Sequence, residues 1–174
     1  LLEHFELTMK SIQKDYRNNI KILKSTESST YIAKMNPDGS FSDDDFRILC
    51  STDLHIDEDY ELNNRTLQHL ADRIEDFKPD LVVLTGDCIL SKYQQIDAIQ
   101  FAQMMEEIGI YWTATFGNHE TREDRGFYKW LLWKSFVDYD HCLCKFGLTE
   151  RIITAEHLVA AVHGVQGLFA PRAV

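Results

Sequence analysis

Three short apolar runs, Phe46–Cys50, Leu81–Leu84 and Tyr111–Phe116, punctuate the middle of this chain, and segments of helix length separate them. No other feature constrains the fold as much. A chain that repeats strand, crossover and strand at this spacing builds right-handed βαβ units and a parallel sheet. Between the first two runs, Asn63 to Phe77 carries Leu67, Leu70, Ile74 and Phe77 on one helical stripe, and Lys78-Pro79-Asp80 stops it. Between the second and third, Gln94 to Ile108 turns Ile96, Ile99, Ala102, Met105 and Ile108 to one side, and Gly109 ends it. A third, aromatic-rich helix is predicted from Asp124 to Ser135. Leu81-Val82-Val83-Leu84 has no polar break, as in a strand covered on both faces. The expected class is α/β, a βαβαβα parallel-sheet unit.

The flanks are read differently. Over residues 1–24, Leu2, Phe5, Met9, Ile12, Tyr16 and Leu23 recur at helical steps, which predicts an amphipathic helix packed on the domain or pairing with a protein partner. Thr30–Met35 reads as a strand, Asn36-Pro37-Asp38-Gly39 as a turn, and Ser40-Phe41 as the start of a return strand. The expected organisation is a helix plus β-hairpin over 1–45 and a main domain over 46–174. Asp43-Asp44-Asp45 is read as a solvated loop, because consecutive acids cannot all face one ion. Arg151-Ile152-Ile153 is a candidate strand, and Leu158–Val162 a strand or short helix. From Leu158 to Val174 the only charged residue is Arg172, which suits a buried strand or a foreign terminus.

Composition narrows the partners. A chain of 174 residues can bury a core of its own. Its net charge of -10 argues against a long nucleic acid, which needs a basic face. It leaves phosphate substrates open, because bound cations would reverse the local field. Cys50 and Cys88 read as small apolar fillers, and Cys142-x-Cys144 lacks the spacing of a zinc or redox pair. No signal segment or membrane span is evident, and the cysteine usage points to the cytoplasm. Leu1 in place of an initiator Met points to an upstream piece.

Each central run is followed by chemistry: Asp53-Leu54-His55, Gly86-Asp87 and Gly117-Asn118-His119-Glu120. Asp53, Asp87 and Asn118 are 34 and 31 residues apart (53 to 87, 87 to 118). Open α/β sheets place function outside the carboxyl ends of their strands, so these groups converge on one rim. Asp87, the central one, is placed to share its carboxylate between two ions. Two metals about 3.5–4 Å apart stabilise the attacking and leaving oxygens of an in-line displacement. A mixed Asp/His/Asn set suits Mn, Fe, Zn or Co better than Ca.

The three strings together resemble the calcineurin-like metallophosphoesterase superfamily, and the text around them resembles the branch related to purple acid phosphatases. The resemblance covers about residues 46–146. It implies a two-sheet αββα sandwich, of which this chain would hold the first sheet and its helices. It implies two divalent metal ions: Asp53 and His55 on the first, Asp87 bridging both, Asn118 on the second. His119 would not ligate; it would face the phosphoryl oxygens or protonate the leaving alkoxide, and a metal-bridging hydroxide would attack. Asp53-x-His55 departs from the Asp-x-Gly of purple acid phosphatases proper, so a violet ferric site is not expected.

The family pattern continues with an isolated His and a Gly-His-x-His string. That string is absent here, and His141, His157 and His163 are the later histidines. His163, before Gly164, is carried as an additional candidate ligand; His141 and His157 read as surface or packing residues. Arg122 and Arg125 are candidates for gripping a substrate phosphate. The expectation is an amino-terminal portion of a metal-dependent phosphoester hydrolase acting on a small phosphoester, with the second sheet beyond Val174, weak metal binding and impaired turnover. The alternatives are a non-catalytic scaffold that keeps the fold as a protein-binding subunit, and a nuclease or nucleotide phosphodiesterase.

Overall fold

A computed structural model of the chain describes residues 19–26, 29–120, 129–145 and 151–154. In chain order it holds β1 (Ile20–Thr26), β2 (Ser29–Lys34), β3 (Ile48–Ser51), α1 (Tyr60–Phe77), β4 (Leu81–Leu84), α2 (Gln94–Ile108), β5 (Trp112–Ala114), α3 (Lys129–Val137) and β6 (Arg151–Thr154). Strands β3, β4 and β5 form a parallel sheet in that order, as the alternation predicts. Ser51 is level with Leu84, and Leu84 with Ala114. The three strands therefore end together, and the loops that follow leave from one edge. Residues 141–143 run parallel beside β5: Trp112 N donates to His141 O at 3.0 Å and Leu143 N to Trp112 O at 2.8 Å.

Helix α1 starts three residues before the predicted Asn63, because Asp59 caps it: its Oδ1 accepts from Leu62 N at 3.1 Å. Lys78 ends it in the left-handed conformation, and Gly109 does the same for α2. The buried faces of both helices join Val82, Leu84, Phe101, Trp112 and Phe136 in one apolar cluster. Phe101, Trp112 and Phe136 meet edge to face, with ring centroids 5.0–6.5 Å apart.

The other face of β4 has a different cover. Leu81 and Val83 pack with Ile32 and Leu143, and with Ile20 and Ile22. That cover is a second sheet, ordered β1-β2-β6, with β1 antiparallel and β6 parallel to β2. Both faces of β4 are thus buried, which is what its unbroken apolar run requires. A buried ion pair pins the second sheet to the first: Lys34 Nζ lies 3.3 Å from Asp80, just before β4.

Several expectations are corrected. Residues 20–24 are strand, not the end of a helix. Ile20 and Ile22 share one face at a two-residue period while Lys21 is exposed, and Leu23 is 41% exposed where a bulge shifts the register between Ile22 and Lys24. The 36–39 turn forms, with Gly39 N donating to Asn36 O at 2.9 Å, but the return strand shrinks to a single bridge between Met35 and Phe41. The partner of β2 is β1. A second sheet, β1-β2-β6, already stands among the described residues. The remainder of the 1–24 helix and the Leu158–Val162 segment lie outside the described residues.

Candidate metal centre

The loop after β3 and the loop after β4 continue to pair where the strands have ended. Asp53 N donates to Gly86 O at 3.0 Å, His55 N to Asp87 O at 3.1 Å and Ile56 N to Cys88 O at 2.8 Å. Asp53, His55 and Asp87 all adopt positive φ, at 54°, 48° and 53°. Non-glycine residues held there cost energy and cluster at functional sites. Asp and His tolerate the region better than most. The left-handed residues let two loops stay zipped at the backbone while their side chains turn out over the sheet edge.

The third loop docks onto the second. His119 N donates to Asp87 Oδ1 at 2.8 Å. Gly117 N donates to Glu120 Oε2 at 2.8 Å, and Asp87 N reaches the same oxygen at 3.0 Å. Gln94, the first residue of α2, donates its Nε2 to His119 O at 3.1 Å and to Ile89 O at 3.0 Å.

These ties bring His55, Asp87 and His119 together: one ligand-type atom from each lies within 4.8 Å of the others. The imidazoles of His55 and His119 are 5.0 Å apart, edge to face. Asp53 Oδ1 is 3.5 Å from His55 Nε2, and Thr52 Oγ1 holds the other Asp53 oxygen at 2.6 Å. His55 Nε2 and His119 Nδ1 are buried and have no hydrogen-bond partner among the described residues. A buried nitrogen without a partner costs about 1–3 kcal/mol. Beside the Asp87 carboxylate they fit a bound ligand: a cation would satisfy the lone pair of His55 Nε2, and an oxygen of a bound molecule would partner His119 Nδ1.

Asn118 sits exposed on the same loop, between Gly117 and His119. The sequence reading kept His119 out of the ligand set; in the structure one of its ring nitrogens lies in the cluster with His55 and Asp87. Arg122, Arg125, His157 and His163 lie outside the described residues. His141 is a packing residue: its Nδ1 is 2.7 Å from Glu106 Oε1. Asp43-Asp44-Asp45 is exposed, as a solvated loop should be. Burial, and then the charge of Glu120, push the Cys88 thiol up.

Residues 46–168, more than half of the chain, match the calcineurin-like phosphoesterase family. The chain belongs to that family. No curated protein and no solved structure matches the chain. In this calcineurin-like phosphoesterase the match spans all three loops of the cluster, and it starts two residues before β3, the first strand of the parallel sheet. Among the described residues no helix is long and apolar enough to cross a membrane.

Two residues of the centre escaped the sequence reading of roles. Glu120 stood in the third string but had no assignment; an acid set next to two glycine-bearing loops was the available signal. Gln94 gave none, since a polar residue opening an amphipathic helix is ordinary.

Proposed function

We propose that this calcineurin-like phosphoesterase is a metal-dependent hydrolase of small phosphoesters, of the branch related to purple acid phosphatases. The single observation that carries the reading is the convergence of His55, Asp87 and His119, with two unpartnered imidazole nitrogens, where three parallel strands end. Asp53, His55, Asp87 and Asn118 would hold two divalent ions, Mn, Fe, Zn or Co, with Asp87 shared. When bound, the ions supply Lewis-acid charge for the phosphoryl group and activate the water that attacks it.

The chain's own residues do the rest. Asp87 is held by its backbone amide and by His119 N, so its carboxylate is oriented before any substrate arrives. Asp53, 57% exposed at its side chain, lies at the mouth of the cluster and adds negative charge beside His55. His119 is fixed at both backbone ends, by Asp87 and by Gln94, so its ring can hold a proton at Nδ1 for the departing oxygen. Preorganisation of this kind is where positioning contributes to rate.

The test is hydrolysis of an aryl phosphate by the purified chain with and without added manganese. Metal-dependent turnover that Asp87→Asn abolishes supports the reading. Metal binding without turnover favours the non-catalytic scaffold, and neither binding nor turnover refutes both.

A further inference from the structure

Glu120 closes the third string yet faces inward, at 1% exposure. Its carboxylate accepts from four backbone amides. Oε2 takes Asp87 N at 3.0 Å and Gly117 N at 2.8 Å; Oε1 takes Ile89 N at 2.9 Å and also Cys88 N. Three of the donors belong to the loop after β4 and one to the loop after β5. Converging amides of this kind form a concavity suited to an anion, and here the anion is part of the chain. Hydrogen bonds to an ionised acceptor are about twice as strong as neutral ones.

We infer that Glu120 is a positioning residue for the metal centre: by fixing the backbone at Asp87 and Gly117, it sets the affinity of the site for a divalent cation. The path is short. Glu120 holds Asp87 N; Asp87 Oδ1 holds His119 N. One buried carboxylate therefore fixes the loop that supplies Asp87 and the loop that supplies His119. Its negative charge also lies one residue behind the ligands, where it favours a cation in front of them. The inference rests on the metal-dependent reading above and adds a residue that touches neither ion nor substrate.

Calorimetric titration with Mn²⁺ alone tests it on the wild type, Glu120→Gln, Glu120→Asp and Met105→Ala, with thermal unfolding of each metal-free protein measured alongside. Glu120→Gln keeps the shape but turns an NH₂ toward amide donors; its Mn²⁺ affinity falls on the order of 10–100-fold. Glu120→Asp keeps the charge and loses less. Met105→Ala, a core truncation at the far end of α2, lowers the unfolding temperature at unchanged affinity. A folded Glu120→Gln that binds Mn²⁺ within about twofold of wild type overturns the inference. So does an affinity loss that Met105→Ala shares. If Glu120→Gln does not fold, Glu120→Asp decides, and wild-type affinity there overturns the inference as well. A wild type that binds no Mn²⁺ refutes the metal-dependent reading itself, and this inference with it.

Discussion

Gly117 gives the space of its missing side chain to Asp87: a Cβ placed on Gly117 would lie 2.6 Å from Asp87 Cγ and 2.7 Å from Asp87 N. Gly86 is equally committed, since its Cβ would lie 2.9 Å from Gly117 N. The second and third loops thus meet backbone to backbone beneath the cluster of His55, Asp87 and His119, and this is why the Asp87 carboxylate reaches the His119 amide. Gly117→Ala should cost about 1–3 kcal/mol of stability by overpacking. It should also displace the Asp87 carboxylate and weaken Mn²⁺ binding. Urea unfolding and calorimetry on the same preparation check both. Wild-type values in both would show that the close approach is dispensable.

The contact between the two sheets should depend on Lys34 and Asp80. Their side chains are 11% and 7% exposed, and Asp80 Oδ2 also accepts from Arg47 N at 2.7 Å. Removing one member of a buried pair leaves the other charge unpaired, which costs about 3–5 kcal/mol. Asp80→Ala should fall short of that loss in urea unfolding: it strands the Arg47 amide and leaves the Lys34 ammonium only the Asp45 carbonyl, 3.2 Å away. Adding Lys34→Met should restore part of the loss, since the stranded charge is then gone. Additive losses from the two changes would mean that the pair contributes little.

What could be read in advance followed from local periodicity. Leu81–Leu84 announced a two-sided strand, and the stripes on Asn63–Phe77 and Gln94–Ile108 announced the crossovers, so the parallel sheet and its functional edge were legible. The nature of the second cover was not. Leu23 fits the helical stripe of residues 1–24 while Ile20 and Ile22 fit a strand, and only Ile32, Leu81 and Val83 on the far side decide between them. Strand β6 was legible as a strand, but its parallel pairing with β2 is a contact across more than a hundred residues that no local pattern encodes. At the metal centre, Asp53, His55, Asp87 and His119 were visible because strand ends concentrate function. Glu120 and Gln94 were not, because their work is done on backbone amides and carbonyls, which every residue has.

Asp97 predicts a pH dependence of stability. It lies in the first turn of α2, nearly buried, and burial raises its carboxyl above the ordinary value despite a hydrogen bond with Ser91; the charges of Glu58 and Asp57 push the same way. The folded state therefore holds this proton more tightly than the unfolded state. Its contribution to stability is fully present below the ordinary carboxylate value and is lost as pH rises through the raised one. Asp97→Asn removes that titration. Above the ordinary carboxylate value, the variant should gain stability relative to wild type as pH rises through the raised one. Thermal unfolding of both proteins across that range measures the difference, and a constant gap would place the cost elsewhere.

The two imidazoles of the centre should separate by function. His55 and His119 are edge to face and both present an unpartnered nitrogen, so geometry alone makes them equivalent. Their surroundings differ. His55 Nε2 has the Asp53 carboxylate 3.5 Å away, a second anionic group that favours a cation at that nitrogen. His119 is instead held by its backbone, through Asp87 and Gln94, which aims the ring without adding charge to it. His55→Ala should therefore lower Mn²⁺ affinity first, with turnover falling as a consequence and recovering in part at high metal. His119→Ala should leave most of the metal affinity and lower turnover by about 10²–10⁴-fold at saturating metal, the loss expected of a missing general acid. The loss should be smaller for an aryl phosphate whose leaving group needs no proton than for an alkyl one. Calorimetry and saturation kinetics with both substrates read these outcomes. If His119→Ala instead loses Mn²⁺ as His55→Ala does, His119 is a ligand, and the proton for the leaving oxygen must come from another group.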